Sequence, residues 1–62
     1  MTATEMIQLE GQYDRAITRL LQVHADLADM YDKFPDKKRR MATYDALSEI
    51  SAAATTLEEG KE

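Results

Sequence analysis

The sequence predicts an all-α fold, an antiparallel two-helix hairpin that dimerises into a four-helix bundle. Three observations lead there. Apolar residues recur at helical spacing over two long stretches, and the only proline stands between them. The 62 residues also hold only 18 apolar side chains larger than alanine, a marginal supply for a self-sufficient core. With no cysteine and a single histidine, neither a disulfide nor a structural metal is expected to make up the shortfall. The expectation is one domain over residues 1–62 that another chain completes.

Helix 1 is expected over about residues 3–33. Met6, Leu9, Tyr13, Ala16, Leu20, Val23, Leu27, Met30 and Phe34 recur at alternating spacings of three and four, the pattern of helix–helix packing. Thr2 followed by Glu5 fits a capping box, and Pro35 forces Phe34 out of helical geometry. Gly11 weakens the interior by about 1 kcal/mol relative to alanine. It also offers a point where residues 1–10 could swing as an arm. Beside the first row runs a second one: Ile17, Leu21, His24, Ala28 and Tyr31. Two adjacent rows predict a face wider than one neighbouring helix can cover.

Residues 34–36 form the expected turn, and helix 2 follows over about 36–59. Its expected stripe is Met41, Tyr44, Leu47, Ile50, Ala54 and Leu57, with Ala42, Ala46 and Ala53 alongside and Gly60 at the C-cap. So short a link folds the helices back antiparallel. Helix 1 is then about 45 Å long and helix 2 about 33–35 Å at 1.5 Å per residue. Met6, Ile7 and Leu9 would project past the end of helix 2.

No run of apolar residues is long enough to cross a bilayer, and Glu5, Glu10 and Asp14 interrupt any signal-peptide pattern. We therefore expect a cytoplasmic protein with no membrane contact. The net charge of −4 is uneven. Residues 1–32 and 41–62 carry −4 each, whereas KFPDKKRR, residues 33–40, carries +4.

No set of residues supplies catalytic chemistry. His24 has only Leu20, Leu21, Leu27 and Ala28 at one-turn spacing, so a metal site or general base is not expected of it. The reading favoured here is a seam-edge histidine that could lend assembly some pH sensitivity. The carboxylate pairs Glu10/Asp14, Asp26/Asp29, Asp29/Asp32 and Asp45/Glu49 fall mainly outside the apolar rows and read as solvated faces. We expect no enzyme, no cofactor and no small-molecule substrate.

The basic block admits two readings. Lys37, Lys38, Arg39 and Arg40 oppose the dipole of helix 2 at its start, as Glu58 and Glu59 do at its end. In an antiparallel hairpin whose facing residues sum to about 70, Asp29 and Asp32 would lie near Lys38–Met41, and Glu58 or Glu59 near Arg15. That arrangement would be an internal charge clasp. Alternatively, Lys37, Lys38, Arg39 and Arg40 present a contact for an anionic partner.

In length and layout the chain resembles the small helical-hairpin proteins that dimerise into four-helix bundles. The plasmid primer-repressor proteins are of this kind and bind RNA. It is similar in the same way to the co-chaperones of type III secretion needle subunits. The likeness is one of architecture, and no residue role is carried across on it.

Taken together, the residues point to a non-enzymatic interaction module, an adaptor, regulator, inhibitor or co-chaperone. It would act on itself as a homodimer or on a helical protein partner. The expected interface is Met6, Leu9, Tyr13, Ile17, Leu20, Leu21, Leu27, Tyr31 and Leu47. The alternative is a small nucleic-acid-binding regulator presenting Lys37–Arg40 from a dimeric bundle.

Overall fold

A computed structural model describes residues 1–61. Two α-helices, α1 (Ala3–Tyr31) and α2 (Lys37–Glu59), fold back on one another. The result is a rod with principal extents of 51, 16 and 13 Å.

The caps follow the expected chemistry. The Thr2 hydroxyl accepts a hydrogen bond from the Glu5 N–H at 3.2 Å, satisfying one of the orphan donors at the start of α1. At the start of α2 the Asp36 carboxylate accepts from the Arg39 N–H at 3.1 Å. α1 ends at Tyr31, two residues before the expected position, because the Lys33 N–H bonds to the Met30 carbonyl at 3.0 Å and tightens the chain into a turn. The link accordingly covers residues 32–36. Helix α1 runs unbroken through Gly11.

The seam between the helices lies between the two rows read from the sequence. Its α1 side is Tyr13, Ile17, Leu20, His24, Leu27 and Tyr31, all buried or half-buried. Three of these come from the first apolar row and three from the second. The spacing of four and three is kept, and the centre of the face is shifted by half a row. On α2 the least exposed residues are Thr43, Ala46, Leu47, Ile50, Ala54 and Leu57.

Here the expected α2 stripe needs correction. Met41 and Tyr44 stay 50% and 55% exposed, while Thr43 is buried. Counting back from Leu57, Ala54, Ile50 and Leu47, the next position in a spacing of three and four is Thr43. Met41 then falls about 200° around a helix that turns about 100° per residue, on the outer side. The Thr43 hydroxyl donates to the Arg39 carbonyl at 2.8 Å, so its polar group is satisfied within the seam. Tyr44 lies on the flank, its ring centroid 6.2 Å from that of Tyr31.

Only Ile17, Thr43 and Ala54 count as buried among the described residues, and no large side chain is completely enclosed. Two helices cannot surround a core, since each has a neighbour on one side only. The scarcity of large apolar residues thus shows up as a seam one residue wide.

Candidate interaction surface

Closing the hairpin consumes part of the expected interface and leaves part of it open. Tyr13, Ile17, Leu20, Leu27, Tyr31 and Leu47 pack in the intrachain seam, whereas Met6, Leu9 and Leu21 remain exposed. The exposed set also includes Ile7, Val23 and Met30, which the sequence places on the overhang (Ile7) and in the first row of helix 1 (Val23 and Met30). Val23 and Met30 belong to a heptad row: Leu9, Ala16, Val23 and Met30 stand seven residues apart, and all four are exposed. At about 100° per residue these positions lie on one flank of the α1 seam, drifting by about 20° per heptad. Leu21 and Ala28 lie on the other flank.

In an antiparallel pair of right-handed helices, the flank that bears Val23 continues onto the side of α2 carrying Ala42, Ala46 and Ala53. Ala42 and Ala53 are exposed and Ala46 is half-buried. Alanines let a neighbouring helix approach closely. This side of the rod is therefore an apolar strip formed by both helices, with bulk on α1 and a smooth floor on α2.

The N-terminal end is built differently. Tyr13 donates its hydroxyl hydrogen to the carbonyl of Leu57 in the last turn of α2. Lys61 then forms an ion pair with Asp14 at 2.8 Å. Beyond this point α1 continues alone back to Ala3. An open notch of about 530 Å³ follows, lined by Met6, Leu9, Glu10, Tyr13, Asp14, Gly60 and Lys61. Met6 and Leu9 are each 47% exposed. Both continue the seam line past the place where α2 stops.

Electrostatics separate the two ends of the rod. The turn end carries Lys33, Lys37, Lys38, Arg39 and Arg40 against Asp29, Asp32 and Asp36, and the other end carries Glu5, Glu10, Asp14, Glu58 and Glu59 against Arg15 and Lys61, so the two ends still differ in sign. The expected internal clasp does not form. Asp29 instead pairs with Lys33 one turn along at 2.9 Å, and Arg39 pairs with Asp36 at 3.8 Å. The reason is angular: Asp29 stands two residues from both Leu27 and Tyr31, which turns it away from α2. Arg15 is turned away likewise, standing two residues from Tyr13 and Ile17. Arg39 also lies over the Phe34 ring, 5.9 Å from its centroid. Lys37, Lys38 and Arg40 form no ion pair among the described residues.

The arrangement offers contact surface and little reactive chemistry. His24 is half-buried in the seam, at the edge of a shallow groove with Tyr44, Leu47, Ser48, Ser51 and Ala52. Among the described residues, no three His, Cys, Asp or Glu side chains converge to hold a metal ion. Among the described residues no helix is long and apolar enough to cross a membrane. No protein-family model matches the chain, no curated protein is similar to it, and no solved structure matches its fold.

Proposed function

We propose that this chain is a non-enzymatic helix–helix interaction module that self-associates into a four-helix bundle. Within that class it would serve as a small adaptor or regulator. The observation that carries this reading is the exposed heptad row Leu9, Ala16, Val23 and Met30 beside Ala42, Ala46 and Ala53. A seven-residue apolar repeat is the signature of a helix seam. Here the intrachain seam uses other residues, so the repeat is free for a second one. A second copy is the occupant favoured, since it brings the same row and the same alanine floor, and such self-complementarity is what a two-fold interface requires. Burying that strip would also give Leu20 and Leu27, half-buried at its edge, the enclosure they lack.

Light-scattering mass over a range of concentrations tests this. The expected result is a dimer, and Val23→Asp is expected to yield a monomer that keeps its helical circular dichroism. A chain that stays monomeric at hundreds of micromolar overturns the proposal. So does a Val23→Asp variant with an unchanged dimer mass.

A further inference from the structure

We infer that the second copy lies head-to-tail against the first, so that each basic turn sits beside the other's N-terminal overhang. This orientation rests on the self-association proposed above and adds to it which ends meet.

Two independent features of the molecule agree on it. The first is charge. Lys37, Lys38 and Arg40 have no ion-pair partner in their own chain among the described residues. Glu5 and Glu10 stand at the opposite end of a rod 51 Å long. That distance is several times the screening length of about 8–10 Å at physiological salt, so the two ends of one molecule hardly interact. A parallel pair would press basic turn against basic turn and acidic end against acidic end. A head-to-tail pair matches opposite signs at both ends at once.

The second feature is the register of the apolar row. Aligned antiparallel, Leu9 of one copy faces Met30 of the other, and Ala16 faces Val23. Large then meets large at the rim, and the smallest side chain meets a β-branched one at the centre. The same register carries the N-terminal overhang of one copy, with Glu5, to the turn end of the other. The overhang, whose Met6 and Leu9 are only half-covered in their own hairpin, thereby gains the second copy's turn end as a neighbour. The charges call for this alignment, and the row fits it in register.

Zero-length carbodiimide cross-linking of the native chain, read by peptide mass spectrometry beside the light-scattering mass, tests the orientation. Within one molecule the turn lysines and Glu5 lie near opposite ends of the rod, so a bond between them must join two copies. The expected result is a dimer in which Lys37 or Lys38 is joined to Glu5 or Glu10. Replacing both lysines (Lys37→Glu with Lys38→Glu) should weaken the dimer about tenfold at low salt. Mixing that variant with a Glu5→Lys, Glu10→Lys chain should restore it. A dimer whose turn lysines join only to Asp29, Asp32 or Asp36 overturns the orientation and leaves self-association standing. A monomer overturns both. A single-stranded RNA oligonucleotide that binds and shields Lys37 and Lys38 would reassign the turn to nucleic acid.

Discussion

Gly60 lies where a side chain would collide with Tyr13: a β-carbon built on it would come within 2.6 Å of the Tyr13 hydroxyl oxygen. Its backbone is ordinary right-handed helix, with φ of −67°. The glycine at this C-cap therefore provides room and no unusual conformation. The room matters because of what the hydroxyl does there. The last four carbonyls of a helix lack intrahelical partners, and Tyr13 serves one of them, that of Leu57. In effect α1 caps α2 from the side.

It follows that Tyr13 and Gly60 act as one unit. Tyr13→Phe should cost about 0.5–1.5 kcal/mol by chemical denaturation and speed amide exchange in the last turn of α2. Gly60→Ala should cost a similar amount in the parent, because the ring must move, and nearly nothing in the Tyr13→Phe background. Simple additivity of the two changes would show that they do not share this contact.

Ile17 should be the most sensitive large apolar position, being the only one among the described residues that is buried. Ile17→Ala is expected to cost about 2–4 kcal/mol, and Leu20→Ala or Leu27→Ala, both half-buried, about 1–2. Leu21→Ala, half-exposed on the far flank, should stay within about 0.5 kcal/mol. Urea midpoints of the four variants give the order directly. A loss at Leu21 equal to that at Ile17 would mean that the seam has been placed on the wrong face.

Gly11 has no such packing role. A β-carbon there would meet only the Arg15 guanidinium, at 3.5 Å, an ordinary contact. Since α1 passes through this position as regular helix, Gly11→Ala should raise stability by about 0.5–1 kcal/mol. Amide exchange over residues 3–10 should slow with it. No change in either would mean that the overhang is not helical in solution.

The ion pair at the same end has a defined pH signature. Asp14 raises the pKa of Lys61 above the ordinary lysine value, chiefly by accepting its hydrogen bond and then by its charge. A raised pKa means the contribution is complete below the ordinary lysine value and fades as pH climbs through the raised one. Both groups are well exposed, so the effect should be local. In Asp14→Asn, nuclear magnetic resonance titration of Lys61 should return it to the ordinary value, with the melting temperature little changed.

The sequence disclosed the two helices, their order and two of their caps, Thr2 and Gly60, because caps and repeats are local features. It was less able to locate the seam. Both apolar rows of α1 are continuous, and a helix with two such rows can present either of them or the strip between. The choice depends on what α2 offers, and α2 offers Thr43, Ala46 and Ala54, which rank low on any hydrophobic count. The Tyr13 to Leu57 contact was hidden for a different reason, since a backbone carbonyl leaves no trace in the residue types. The expected clasp between Asp29 and the basic block failed because summed residue numbers give height along the hairpin and ignore the direction in which a side chain points.

Thr43 puts that lesson to a quantitative test. Its position in the seam could owe its value to the methyl group, which packs, or to the hydroxyl, which bonds to the Arg39 carbonyl. That carbonyl is also the ordinary acceptor for the N–H one turn on, so losing the hydroxyl leaves no orphan acceptor behind. Losing the methyl opens a gap between helices that have little else filling the space near the turn. Thr43→Val, which keeps the shape and exchanges hydroxyl for methyl, should therefore be neutral or stabilising. Thr43→Ser, which keeps the hydroxyl and removes the methyl, should cost about 1 kcal/mol. Thermal or urea denaturation distinguishes them. The opposite order, with Val damaging and Ser harmless, would place Thr43 on the solvated side of α2 and restore Tyr44 to the seam.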